Sequence, residues 1–293
     1  MNKPRVAIAH DPDIKKALGQ TFELLGSLSG LFTDKHVAIK PDDSWASAKD
    51  SCACTQADTV KALIELIKIF KPYKITVAGG CSDGESDQVF QLLGIDNVII
   101  EKDVEFFDLN RGPFKSVSLK WGPVKNVVIN PHIFSFDTII SLSQHKSNKK
   151  TGASLSMKNI AMSLPANDYY GHPDIKYERG HEAFFADLHG FIAGMCQRFP
   201  IQLSIINGHP AMIDKHCFDS QIVIASKDFV AADAVGARVM EIEKPVAHIE
   251  QAAALCLGQS KLENMEIAGI SVEEAAEIFA LSGKRSQMIP RDF

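Results

Sequence analysis

The stretch DTIISLSQHKSNKKTGASLSMKNIAM, Asp137–Met162, decides the fold. It begins as an apolar, β-branched run, turns basic and hydroxyl-rich, and then resumes apolar residues at helical spacing. That order predicts a strand, a loop at the strand's carboxyl end, and a helix. Lys146, Lys149, Lys150 and Lys158 fall inside it, separated by Ser147, Asn148, Thr151, Gly152, Ser154 and Asn159. Open α/β sheets bind ligands in the crevice beyond the carboxyl ends of their strands. A helix start favours anions, because its unbonded N–H groups and its dipole point at the ligand. The stretch therefore predicts an anion-binding site and names no reaction.

Outward from it, strand and helix alternate. RVAIAH (Arg5–His10), HVAIKP (His36–Pro41) and KITVAG (Lys74–Gly79) read as strands. Between them, Asp13–Leu31 and a segment from Thr55 to Pro72 carry apolar residues three and four apart, the spacing of amphipathic helices. GGCSDGE leads into a short helix through Phe90 and Leu93. This rhythm predicts a parallel sheet with right-handed crossovers. Residues 97–135 break it: NVIIEK, VEFFDL, KSVSL and VKNVVIN are short runs between turn residues, and read as a β-rich insertion or sheet edge. A polar connector follows at Pro165–Gly180, then a helix through Phe184 and Met195 and the strands LSIING and QIVIAS. Helices at Phe229–Met240 and Val246–Leu257 come next, and Ser271 with Glu274 makes a capping box for a last one. With no repeat and no linker, residues 1–293 read as a single α/β domain, a mainly parallel sheet with helices on both faces and a β-rich middle.

A chain of 293 residues, 45% of them hydrophobic, can bury a core without disulfide or metal staples. The net charge of −5 argues against nucleic acid as a partner, so the lysine cluster is a local feature suited to a small anionic ligand. No run reaches the roughly 18 apolar residues of a membrane span, and MNKPRVAIAHDPD lacks the apolar stretch of a signal peptide. Six cysteines without an export signal predict a cytoplasmic protein with free thiols.

Three stretches resemble the prokaryotic family called domain of unknown function 362. Ile39-Lys40-Pro41-Asp42 is similar to its "IKPN" strand end. Lys146-Ser147-Asn148 through Ser154-Leu155-Ser156-Met157-Lys158-Asn159 is similar to its "K-T-H … V-T-L-A-L-K-N" segment, and Ala225–Ala234 to its "A-S-x-D-P-V-A-V-D-A" segment. Together they run from about residue 36 to 240 in the family's order. Asp42 stands where the family usually has Asn, Asn148 where it has His (His145 lies three residues earlier), and Asn207-Gly208 where it often has Asp-Gly. Many relatives carry ferredoxin-like cysteine clusters, which implies redox metabolism for part of the family, but this chain has no C-x-x-C run.

Each candidate residue has a plainer alternative. Lys146 and Lys158, with Ser147, Asn148, Ser154 and Asn159, read as binding a small anionic substrate or cofactor; the alternative is a solvated loop whose lysines serve solubility. A lysine is a compact point charge suited to phosphate or carboxylate. Asp42, Asp43 and Asp83 each follow a strand, where they would hold a divalent metal through oxygen ligands or pair with the lysines. Asp42, Asp83 and His172 are the acid–base candidates. Asp228 reads as a helix N-cap, and Asp233, one turn later, as an acid favoured by its helix dipole. The Gly79–Gly84 turn offers N–H groups to an anion, or is simply a tight connection. His172, His181 and His189 lack the convergent spacing of a zinc site. Cys52, Cys54 and Cys81 would meet at one rim and hold an iron–sulfur cluster, although such clusters favour closely spaced runs. The leading expectation is an enzyme acting on a small anionic substrate. The alternatives are a metal or iron–sulfur redox protein with a redox partner protein, and a non-catalytic anion sensor.

Overall fold

The computed structural model describes residues 3–44, 46, 51–82, 84–171 and 182–288. The first part of the chain contains β1 (Arg5–His10), α1 (Ile14–Leu25), α2 (Ser29–Phe32), β2 (His36–Pro41), α3 (Ala57–Lys68) and β3 (Lys74–Gly79). Next come α4 (Ser86–Leu93), α5 (Ile95–Glu101), β4 (Glu105–Asp108) and the hairpin β5 (Lys115–Ser118)–β6 (Asn126–Ile129). The middle holds β7 (Thr138–Asn148), β8 (Gly152–Ser154), α6 (Ser156–Ser163), α7 (Asn167–Tyr170), α8 (Glu182–Phe185) and α9 (Leu188–Arg198). The last part holds β9 (Leu203–Ile213), β10 (His216–Phe218), β11 (Ile222–Ser226), α10 (Phe229–Val239), α11 (Ala247–Ala254), β12 (Glu266–Gly269) and α12 (Val272–Met288).

The main sheet runs β12-β1-β11-β9-β7-β2-β3-β4, with β8 and β10 added as short hairpin partners of β7 and β9. Within that order only β11 runs against its neighbours. Alternate residues of a strand point to opposite faces, and the sheet uses both. Val6 and Ile8 of β1 join one core, made with Met157 and Ile160 of α6, Phe191 of α9, Val235 of α10 and Phe279 of α12. Ala7 joins the other, with Leu18 and Phe22 of α1, Leu63 and Ile67 of α3, and Phe90 of α4. The mainly parallel α/β architecture with helices on both faces is therefore as the sequence predicts.

Three local readings are corrected. The helix expected over Asp13–Leu31 stops at Leu25, because Gly26 turns the backbone to φ +74° and a separate turn, α2, follows. NVIIEK is not extended: it lies in α5, where Ile95, Val98 and Ile99 share a buried helical face. The loop expected after β7 is a hairpin. β7 continues to Asn148, β8 returns beside it, and the Asn148 side chain accepts from the N–H groups of Lys150 and Thr151 at 3.0 and 3.1 Å. Of the rest of the middle segment, β4 extends the main sheet beside β3, and only β5 and β6 form a separate two-stranded sheet. Among the described residues, no helix is long and apolar enough to cross a membrane.

Candidate functional site

β7 is a central strand whose residues Ser141, Ser143, Gln144, His145 and Lys146 are buried although polar. Buried polar groups persist only where they are bonded. The Ser141 hydroxyl donates to the Ser156 carbonyl at 3.1 Å, and the Gln144 amide to the Pro210 carbonyl at 2.7 Å. His145 points to the α10 face, where its Nε2–H donates to the Gly236 carbonyl at 2.8 Å; burial lowers its pKa to about 4, so the ring is neutral.

Lys146 ends this series, and its amine is committed. It pairs with Asp42 Oδ2 at 2.7 Å and donates to the Ala53 carbonyl at 2.8 Å, with both side chains almost fully enclosed. Burial alone would raise the Asp42 pKa, but the charge and hydrogen bond of Lys146 outweigh it and hold the carboxyl below its usual value. Asp42 also accepts from the Ser44 hydroxyl at 2.6 Å. One strand end away, Lys40 pairs with Asp43 at 2.5 Å, and Asp43 accepts from the Gly80 N–H at 2.8 Å. Burial dominates at Asp43 and raises its pKa despite Lys40. Asp42 and Asp43 are thus each paired with a lysine.

A strap over residues 51–56 crosses this rim. The Thr55 hydroxyl donates to the Leu142 carbonyl at 2.9 Å, and Ala53 supplies the carbonyl that holds Lys146. Cys52 within the strap is disulfide-bonded to Cys217 of β10, 165 positions away. The sequence reading expects free thiols, and at this pair the structure has a bonded one instead. Cys54 and Cys81 are buried beside Val89. Among the described residues, no three His, Cys, Asp or Glu side chains are grouped to hold a metal ion.

A cavity of about 430 Å³ opens beside these ion pairs. Lys158, Ser154 and Asn159 line its inner wall, Met162, Leu188 and Met212 give it apolar surface, and Lys149, Lys150 and Lys215 stand at its mouth. Lys158 projects from the first turn of α6. Among the described residues, its amine touches only the Ser154 hydroxyl, at 3.3 Å, and no carboxylate. Burial, and then repulsion from Lys146, lowers its pKa to about 8 against a weaker pull from Asp42. Lys150 lies over the Phe185 ring, 4.8 Å from its centre. A wider depression of about 580 Å³ lies at the opposite rim, where β3 begins, but its Lys74 is already paired with Glu105 at 2.8 Å.

The sequence-predicted residues divide on these contacts. Lys158, Ser154 and Asn159 face the cavity, although the Asn159 amide is occupied by the Lys40 carbonyl and the Ser141 hydroxyl, each at 3.0 Å. Ser147 and Asn148 also line it, but Ser147 accepts from the Asp214 N–H and Asn148 closes the β7–β8 turn. Lys146 is paired with Asp42 and does not line the cavity. Asp83, His172 and His181 lie outside the described residues. His189 meets His248, Nδ1 to Nδ1, at 3.1 Å.

The N–H groups expected to cradle an anion are also taken. Those of Ser156 and Met157, which start α6, donate to Asp233 at 2.9 Å each. Asp233 thus caps a neighbouring helix instead of favouring its own dipole. Asp228 does cap α10, accepting from the Ala231 N–H at 2.9 Å. Gly80 has no room for a side chain: a Cβ there would lie 2.6 Å from the Ser163 carbonyl oxygen and 3.0 Å from Lys40 Cε. Gly80→Ala is expected to destabilise by about 1–3 kcal/mol, the usual cost of overpacking, read as a lower urea midpoint with an unchanged slope.

Sequence reading missed Lys215, Met212 and Leu188. Asp214 and Lys215 have φ of 47° and 71° and turn β9 into β10. A two-residue turn between extended runs was the available signal.

The chain matches the family described as "Domain of unknown function (DUF362)" over residues 37–238. No curated protein matches it. Its structure is similar to that of the lactate racemase apoprotein from Thermoanaerobacterium thermosaccharolyticum, with a TM-score of 0.51 and 13% sequence identity. The likeness covers 83% of this chain and 58% of that one, and concerns the fold.

Proposed function

The chain belongs to the domain of unknown function 362 family, and we propose on that premise that it is an enzyme whose small anionic substrate binds in the cavity lined by Lys158. One contrast carries the reading. Lys40 and Lys146 each hold a buried carboxylate, whereas Lys158 faces open volume with, among the described residues, only a hydroxyl beside it. A part-buried ammonium with no carboxylate beside it among the described residues costs free energy, and a bound anion removes that cost. Stability given up at a functional site is a common pattern in enzymes. The lysines at the mouth draw anions in, and the apolar wall suits a carbon skeleton attached to the charge.

Lys158→Met tests this in two ways. The unliganded variant should be more stable than the parent by on the order of 2 kcal/mol at pH 7, because a strained charge is gone. Sulfate should raise the melting temperature of the parent and leave that of the variant unchanged. At a concentration 100 times Kd, binding contributes about 2.7 kcal/mol. The pH dependence has a fixed sign. The amine carries its charge below about 8, so sulfate stabilisation should be full at pH 6–7 and fade as pH rises through that value. An equal sulfate response in parent and variant would remove Lys158 from the site.

A further inference from the structure

We propose that Lys158 is a covalent, Schiff-base-forming lysine, whose substrate is a small compound bearing both an anionic group and a ketone or aldehyde. The inference rests on the anion site just described and extends it from binding to bond formation. Its basis is the placement of one amine. Lys158 Nζ sits in the wall of a cavity of about 430 Å³, anchored among the described residues only by the Ser154 hydroxyl at 3.3 Å. Met162, Leu188 and Met212 line the same space with carbon and sulfur.

Lysine amines become nucleophiles when apolar surroundings and neighbouring cations disfavour the ammonium form. Both conditions hold here, and burial with repulsion from Lys146 brings the amine to a pKa of about 8. A few per cent or more of it is then free base at neutral pH. The other enclosed lysines cannot do this: Lys40 is tied to Asp43 and Lys146 to Asp42. Lys149, Lys150 and Lys215 stand exposed at the mouth, placed to hold a carboxylate or phosphate while the carbonyl carbon reaches Lys158.

The step balances without a co-reactant. The free amine adds to the carbonyl carbon, and a proton passes from nitrogen to oxygen to give a carbinolamine. The C–O bond then breaks, oxygen leaves as water, and a C=N bond forms. Summed from the ammonium, the lysine and the carbonyl compound give an iminium and one water, with the positive charge retained. Ser154, which accepts from the amine, is a positioning residue that keeps Nζ aimed along the wall.

Borohydride trapping tests the inference. The full chain is incubated at pH 7.5 with pyruvate or with dihydroxyacetone phosphate, reduced with borohydride, and mapped by peptide mass. An adduct on Lys158 is expected at about tenfold or more the yield on any exposed lysine. Pyruvate labelling alone assigns a carboxylate substrate, and dihydroxyacetone phosphate labelling alone a phosphate one. Lys158→Arg keeps the charge, so it should retain sulfate stabilisation and lose the adduct. If neither probe labels Lys158 above the surface lysines while sulfate still stabilises the parent, the covalent role is overturned and the anion site stands. If sulfate stabilisation also fails, both are overturned. The wild-type peptide map is decisive by itself should the variant fold poorly.

Discussion

Lys146→Met should cost about 3–5 kcal/mol of folding stability, because it leaves the Asp42 carboxylate enclosed without its counter-charge. Asp42 keeps only the Ser44 contacts, at 2.6 and 3.3 Å, and the Ala53 carbonyl loses its donor. The double variant Lys146→Met/Asp42→Asn removes both charges and should recover most of the loss, since neutral replacement of a buried pair is often nearly neutral in energy. A urea double-mutant cycle measures the coupling. Additive losses would mean that the pair is not the origin of the effect. On the proposed anion site at Lys158, the sulfate response should survive in the double variant, which would separate the two lysines.

The second large effect belongs to Asp233. Asp233→Asn places an amide N–H where one of two donors now finds an oxygen, at the buried start of α6. Leaving one buried N–H unbonded costs about 1–3 kcal/mol, more where the lost acceptor was charged. Burial raises the Asp233 pKa to about 7 against the pull of the Ser156 and Met157 N–H groups. A carboxyl that binds its proton more tightly when folded contributes stability at low pH and loses it as pH rises through the folded value. For the parent, this contribution should fall by on the order of 3 kcal/mol between about pH 4 and pH 7. The variant should lack that part of the slope, so the difference between the two urea profiles isolates Asp233. Parallel profiles would mean that the carboxyl does not titrate in this range.

The frame was legible because β1, β2, β3 and the start of β7 are apolar runs punctuated by helices with regular spacing. NVIIEK was misread because a short apolar run fits a strand and a buried helix equally well. Its Val98 and Ile99 share the buried face of α5 with Ile95, which follows Gly94, whose φ of +73° ends α4 and turns the chain. The lysine stretch does border a cavity, but the sequence alone could not tell the paired Lys146 from the cavity-facing Lys158. The carboxylate that occupies Lys146 lies on β2, and the cysteine that fastens the strap lies 165 positions from its partner. Neither pairing leaves a local trace. Asp233 did leave one: it is an acid within FVAADAVGARV, a helix whose neighbouring positions are apolar and buried. A buried carboxyl requires donors from elsewhere, and here they come from α6.

The two ion pairs beneath the strap also set the valence of whatever enters. Lys40 cancels Asp43 and Lys146 cancels Asp42, so among the described residues of this rim the unbalanced positive charge is that of Lys158. A monovalent guest brings this interior to electroneutrality, and its affinity should change little with ionic strength. A divalent guest must leave its second charge among the exposed lysines at the mouth, where dissolved ions screen it within about 10 Å at 0.1 M salt.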